Sequence, residues 1–181
     1  MKVCNDSDRY SWQNPWQALR DIGLKTGMTF VDVGCGSGFF SLPAAKIVGP
    51  EGKVYGVDVN EEAIAMLVQK ARAEGLENIV VTAGKAESKI LCDACADIVF
   101  FGIVLHDFED PLAVLRNARR MVKPDGRLVN LDWKKTYMSL GPPYEIRFSA
   151  DHASRLIRNA SFRIQSVRLL DYHYVIVAQP S

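Results

Sequence analysis

The sequence predicts an α/β domain in which a mainly parallel sheet carries helices on both faces. Three observations predict it. Short β-branched runs alternate with capped helical segments along the 181 residues, the pattern of repeated βαβ units. The run "ADIVFFGIVL", Ala96–Leu105, is apolar at nearly every position, as a central strand buried on both faces must be. The glycine-rich loop Gly34–Gly38 sits between a strand and a helix, at the carboxyl end of a strand, where parallel sheets bind their ligands.

The elements follow in order. Asn14 caps and Pro15 opens a first helix through "NPWQALRDIGL", and Gly23 ends it. "TFVDVG" is the first strand. "FFSLPAAKIVG" is a helix closed by Gly49-Pro50, with Pro43 early enough to be tolerated. "KVYGVDV" is the second strand. Asn60 caps "EEAIAMLVQKARAEG", where two glutamates favour the positive end of the helix and Gly75 stops it. "NIVVTAG" is the third strand and Ala96–Leu105 the fourth. "DPLAVLRNARRMVKPDG" reads as a helix running to Pro-Asp-Gly, and "RLVNLDW" as the fifth strand. "SADHASRLIRNAS" is a further helix, and "FRIQSVRLL" and "YHYVIVAQ" form a closing antiparallel pair. Parallel neighbours joined through helices take right-handed crossovers.

Composition narrows the function. With 48% apolar and 24% charged residues, the chain is that of a soluble globular domain, long enough for one core. A net charge of +1 argues against non-specific attraction to nucleic acid or membranes. The run Ile98–Leu105 is too short to span a bilayer. The opening "MKVCNDSDRY" has no apolar leader, which predicts a cytoplasmic location. Cys4, Cys35, Cys92 and Cys95 are too scattered for a secreted disulfide framework. Cys92-x-x-Cys95 lacks the further ligands a zinc site needs and precedes a strand, so ordinary free thiols and no metal are expected.

The carboxyl-end rule selects four places: Gly34–Gly38, Asp58, Leu105–Asp110 and Leu131–Lys135. Glycine admits positive φ and close approach of a ligand to the backbone. Here the spacing is G-x-G-x-G, with Phe39 where a dinucleotide fingerprint needs its third glycine. No second domain remains for a dehydrogenase substrate. Asp58 lies twenty residues after Gly38, and a carboxylate there can accept from both hydroxyls of a ribose. Asn60 already fills the capping role, and Val59 can pack on a flat base.

"FVDVGCGSGFF", "VYGVDVN" and "MVKPDGRLV" resemble class I S-adenosylmethionine-dependent methyltransferases over nearly the whole chain. The resemblance is strongest to the small branch similar to ubiquinone- and menaquinone-biosynthesis methyltransferases. It implies a single-domain Rossmann-like fold with a seven-stranded sheet and an antiparallel last strand. Residues 1–25 would be a helical segment covering the site, and 26–181 the core. S-adenosylmethionine is the implied cofactor. By the same resemblance Gly34, Cys35, Gly36 and Gly38 line its methionine portion with main chain, Asp32 lies near its amino group, and Asp58 binds the ribose. Many relatives have Gly-Asp-Ala after the third strand, whereas this chain has Gly84-Lys85-Ala86-Glu87. Lysine cannot accept from the adenine amino group. Glu87 or a main-chain carbonyl is left to do so, with the Ala86 N–H as donor to a ring nitrogen.

Methyl transfer is an in-line displacement that needs alignment, and needs a base only when the acceptor carries a proton. His106, at the end of the fourth strand, and Asp132, at the end of the fifth, are the candidate catalytic residues. The alternative is a histidine that pins its own loop. His106, Trp133 and Tyr144 are the candidate substrate contacts. The segment around Gly141-Pro142-Pro143, with Tyr137 and Met138, reads either as a lid or as plain packing. Arg116, Arg119, Arg120 and Lys123 form a basic stripe at helical spacing, a solvated face or a contact for phosphate. His152 and His173 belong to no motif. The expected function is methyl transfer to a small-molecule acceptor by a monomer or homodimer. Its rivals are a cofactor-binding module without turnover and a nucleic-acid or protein methyltransferase. "LHDFEDP" after the fourth strand lacks the Asn/Asp-Pro-Pro-Tyr/Phe motif of many nucleic-acid enzymes.

Overall fold

The computed structural model describes residues 9–181, so Cys4 and the first part of the segment 1–25 lie outside the described residues. Seven strands form one sheet: β1 (Thr29–Val33), β2 (Lys53–Asp58), β3 (Ile79–Ala83), β4 (Ala96–Gly102), β5 (Val122–Trp133), β6 (Phe162–Leu169) and β7 (His173–Pro180). Their spatial order is β3-β2-β1-β4-β5-β7-β6. The first five pair in parallel, and β7 runs antiparallel between β5 and β6. This is the mostly parallel sheet with an antiparallel last strand that the sequence led us to expect. The order reverses direction between β1 and β4, and the loops after those two strands therefore diverge and leave a crevice.

The helices are α1 (Pro15–Asp21), α2 (Ser41–Val48), α3 (Glu61–Ala73), α4 (Pro111–Met121) and α5 (Ala150–Asn159). Asn14, Asn60, Asp110 and Ser149 each accept from the main-chain N–H three residues on, which satisfies a donor that the first helical turn leaves unpaired. Alternate residues of β4 feed two cores. Val99 and Phe101 pack beneath α4 and α5 with Leu115, Ala118 and Ile157. Ile98 and Phe100 pack on the other face with Leu19, Ala44 and Val48. This two-sided burial explains the unbroken apolar run.

Three local expectations are corrected. β4 ends at Gly102, because Ile103 turns the chain at φ 65° while its N–H still bonds the Leu131 carbonyl at 2.7 Å. A β-branched residue at positive φ is strained, and the strain sits where the chain bends into the Leu105–Asp107 turn. Helix α4 stops at Met121, and Val122 already pairs with Ala96; the stretch before Arg127 is a bulge of β5 carrying the Pro-Asp-Gly. Cys92 and Cys95 are a disulfide rather than free thiols. Ala94 at φ 44° folds the segment back, and the N–H groups of Ala94 and Cys95 bond Arg120 and Met121 carbonyls at the foot of α4. Among the described residues, no helix is long and apolar enough to cross a membrane.

Candidate functional site

The glycine bend after β1 is built on β2. The Val57 carbonyl accepts from both Gly34 N–H at 2.8 Å and Cys35 N–H at 3.1 Å. Gly34 adopts φ 76°, and a Cβ there would lie 2.5 Å from Val104, so no other residue fits. Gly36 adopts φ 52°, and nothing lies within 4 Å of where its Cβ would stand. The bend is thus closed beneath and open above. Gly36 N–H donates to Asp58 Oδ2 at 2.8 Å, and Asn60 N–H to Asp58 Oδ1 at 2.9 Å. Two of the carboxylate's four lone-pair directions are used, and the half-buried side chain keeps the others outward. Val59, beside it, is 67% exposed. Lys70 of α3 donates to the Ser37 carbonyl at 3.2 Å and fixes the far side of the bend.

Asp32 lies under the bend. It is buried and accepts from Ser41 Oγ at 2.6 Å. Burial pushes its carboxyl up to about 7, against the Ser41 bond and the charge of Arg9. Arg9 caps this corner, 4.1 Å above the Phe39 ring. The Cys35 side chain is buried against the space left by Gly56. Burial, together with the nearby charges of Asp32 and Asp58, pushes its thiol far up, so Cys35 presents only main chain to the bend.

On the β3 side, Ala86–Ser88 form a 3-10 turn. Asn117 of α4 donates to the carbonyls of Ala86 at 2.9 Å and Glu87 at 2.8 Å, which holds the turn in place. Lys85 swings outward to Glu109 at 2.9 Å and leaves the turn clear. Neither Asn117 nor Lys70 stood out in the sequence. The only signal for Asn117 was an amide amid the buried positions Val114, Ala118 and Met121 of α4.

The ends of β4 and β5 bring His106 and Asp132 together. His106 Nδ1 and Asp132 Oδ1 are 2.8 Å apart, and His106 Nε2 is 3.6 Å from Asp107 Oδ1. The imidazole is 2% exposed and Asp132 is fully buried, whereas Asp107 faces outward at 44%. Burial pulls the imidazole pKa down, but the bond to Asp132 and the charges of Asp132 and Asp107 outweigh it, and the net shift is upward. Asp132 also accepts from Trp133 N–H at 2.8 Å, which fixes its plane.

Trp133 is buried, not open to a ligand. Its ring meets Trp12 at 5.1 Å and His173 at 4.2 Å, and a Cβ on Gly141 would lie 2.7 Å from it. Tyr144 stacks on Tyr137 at 4.3 Å and 10°, out in the loop that follows β5. That loop is organised by Arg147, a residue absent from our sequence candidates. Its guanidinium donates to the carbonyls of Pro142, Leu140, Thr136 and Lys134 at 2.7, 2.7, 3.0 and 3.4 Å. The loop lines a cavity of about 400 Å³.

His173 carries a prediction about pH. Burial, with the charges of Arg9, Lys134 and Arg147, lowers its pKa from 6.5 to about 4. Between those values the unfolded chain binds a proton that the folded chain refuses, so stability falls as the pH drops through that window. The loss is about 3 kcal/mol in all. His173→Phe keeps a ring between the tryptophans and removes the titration. In urea unfolding at pH 7 and at pH 4.5, the variant is expected to lose less stability than the parent on acidification. Equal losses contradict the assignment.

A seven-stranded sheet of this order, with an open glycine bend tied to an acidic strand end, defines a protein of the S-adenosylmethionine-dependent methyltransferase class. The residues present fit that cofactor. The open face at Gly36 admits main-chain contact, Asp58 keeps free acceptor positions for a diol, and Val59 beside it is exposed and able to pack on a base. Residues 24–159 match the family described as "Methyltransferase domain", and the chain belongs to that family. It is similar to a demethylmenaquinone methyltransferase from Geobacillus stearothermophilus, 35% identical over 63% of this chain and 49% of the relative. A second demethylmenaquinone methyltransferase, from Bacillus cytotoxicus, is 32% identical over 75% of this chain and 58% of its own length. The chain therefore spans about half the length of the curated relatives it matches. A SAM-dependent methyltransferase structure from Aquifex aeolicus matches with a TM-score of 0.85 and 31% identity, covering 96% of this chain and 97% of that one.

Proposed function

We propose that this chain transfers a methyl group from S-adenosylmethionine to a small-molecule acceptor, the reduced and therefore hydroxylated form of a quinone being the candidate that its demethylmenaquinone methyltransferase relatives suggest. The observation that carries the reading is the Gly36–Asp58 hydrogen bond beneath open space. When bound, the cofactor supplies an electrophilic methyl on sulfur. In this reading Asp58 accepts from the ribose hydroxyls, and the main chain of Gly34, Cys35, Gly36 and Gly38 lies along the amino-acid portion. Asp32 supports the bend from below and favours a cation near it. Val59 and the Ala86 N–H position the base, with the Glu87 side chain or a main-chain carbonyl accepting. In this reading the described part of the N-terminal segment, up to residue 25, covers the crevice, and residues 26–181 form the core.

His106 is the group that handles the acceptor's proton. Asp132 holds Nδ1 and leaves Nε2 to face the acceptor past Asp107. Removing a ring-hydroxyl proton makes the ring a stronger nucleophile, and proton transfer of this kind contributes roughly 10²–10⁴-fold. Because the imidazole pKa is raised, the neutral form needed for a base predominates only above pH 6.5. The rate with reduced demethylmenaquinone is expected to climb with pH through a value above 6.5. His106→Asn should lower it about 10²-fold or more and abolish that limb. A full-rate variant with an unchanged pH profile would leave His106 a structural pin. Trp133 and Tyr144 shape the acceptor side through the loop packed on them.

A further inference from the structure

We propose that the outer face of α4 and α5, with the neighbouring edge of β6, docks on an anionic lipid bilayer. The net charge of +1 averages over a marked asymmetry. α4 and α5 together carry Arg116, Arg119, Arg120, Arg155 and Arg158, against Asp151 alone among their acidic residues. The two helices lie side by side over the same core, with Leu115 and Ala118 of one and Ala153 and Ile157 of the other pointing inward. Arg119 Nε also reaches the Ser161 carbonyl just past α5, at 3.3 Å. None of the five arginines is ion-paired to a carboxylate among the described residues, whereas Lys123, below them, is engaged by Asp97 at 2.7 Å.

The β6 edge adds an apolar component. Val167, Leu169, Leu170 and Tyr172 are exposed, Leu169 by 70%. Val167 pairs with Ile176 and Leu169 with Tyr174. Directly paired residues share a sheet face, and Ile176 and Tyr174 belong to the core beneath α4 and α5. Val167 and Leu169 therefore emerge on the arginine-bearing side, beyond the cover of α5. β6 is an outer strand of the sheet. Its turn into β7 sits at the mouth of the crevice: Lys134 N–H bonds the Tyr172 carbonyl at 3.0 Å, and His173 pairs with Trp133. Asp171 in that turn is the acidic neighbour of this apolar group.

Arginines beside exposed aliphatic side chains match a bilayer interface, where phosphates meet acyl chains. A single-stranded nucleic acid would be served by a basic groove with aromatic stacking platforms, and leucine and valine add nothing to that. Only the β6–β7 turn brings this face to the rim of the crevice; Arg119, Arg120 and Arg158 lie toward the opposite end of the sheet. The inference goes beyond the methyl-transfer reading and does not require turnover.

Co-sedimentation of the full chain with vesicles tests it, using phosphatidylcholine alone and phosphatidylcholine mixed with phosphatidylglycerol. The parent is expected to pellet with the anionic vesicles and to be released progressively by salt. Replacing Arg116, Arg120, Arg155 and Arg158 together by serine should weaken binding about 10²- to 10³-fold, since each basic residue at an anionic surface adds to the attraction. Leu169→Ser with Leu170→Ser should remove the fraction that resists salt. Unchanged thermal unfolding and S-adenosylhomocysteine binding in both variants show that the fold is intact. Equal pelleting of the parent with neutral and anionic vesicles, or a preference for single-stranded RNA over the anionic vesicles, overturns the proposal. So does a four-arginine variant that pellets like the parent. Vesicle binding by a chain that fails to bind S-adenosylhomocysteine would sink the cofactor reading and leave this one standing.

Discussion

Asp58→Ala is expected to raise the dissociation constant for S-adenosylhomocysteine at least about 100-fold, because two charge-assisted hydrogen bonds to a ribose diol contribute about 1.5–3 kcal/mol each. The substitution removes more than a ligand contact. Asp58 receives Gly36 N–H at 2.8 Å and Asn60 N–H at 2.9 Å, so its loss also removes the tie at Gly36 and leaves the bend held to β2 by the Val57 carbonyl alone. Asp58→Asn separates the two effects. An amide oxygen can still accept from one N–H, but the amide nitrogen cannot accept at all. It should therefore hold the bend partly and bind with intermediate affinity. Calorimetric titration of the three proteins gives the order parent, Asn, Ala. Parent-like affinity in Asp58→Ala refutes the ribose assignment.

Arg147→Met is expected to open the loop between β5 and α5 while leaving the cofactor site intact. Arg147 reaches four main-chain carbonyls, at Lys134, Thr136, Leu140 and Pro142, and no neutral side chain can replace that fork. Counting only the two 2.7 Å bonds, to Pro142 and Leu140, at about 1.5 kcal/mol each for a charged donor, local opening should become easier by about 3 kcal/mol, roughly 100-fold in cleavage by a protease acting on the opened loop. Arg147→Lys should resemble Met, since one ammonium cannot span the four acceptors. Limited proteolysis with mapping of the cut site reads the effect, and S-adenosylhomocysteine titration supplies the control. An uncut loop in Arg147→Met means that the Tyr137–Tyr144 stack and the packing on Trp133 hold it without the arginine.

The parts of this protein that were legible in the sequence are those governed by local chemistry. Asn14 and Asn60 cap helices where polar side chains precede periodic segments. The glycine bend and Asp58 were legible because a strand-turn-helix places both at carboxyl ends. Recognising β1 and β2 as neighbours makes their meeting expected. His106 and Asp132 were legible as residues at two strand ends, but their 2.8 Å contact depends on β4 and β5 being adjacent, and the histidine alone also read as a pin of its own loop. What stayed hidden depends on tertiary accidents of main chain. Arg147 and Asn117 act by donating to carbonyls, and any exposed arginine or helical asparagine looks the same in sequence. The turn at Ile103 broke an apolar run that β propensity alone would continue. The reach of Lys85 to Glu109 crosses between two loops, and Ala94 in a left-handed conformation is what closes Cys92 on Cys95. The arginine face was visible as a stripe on α4, but its extension onto α5 required knowing that those helices pack together.

In the proposed function one crevice, between the bend after β1 and the ends of β2 and β3, holds the cofactor. Amide chemical shifts of the isotopically labelled chain, followed through a titration with S-adenosylhomocysteine, test it directly. The largest shifts are expected at Gly34–Gly38, Asp58–Asn60 and Ala86–Glu87, with little change at Gly49–Lys53 on the opposite end of the sheet. Saturable shifts centred on that opposite end, or no shift at Gly36 and Asp58 at saturating ligand, would contradict it.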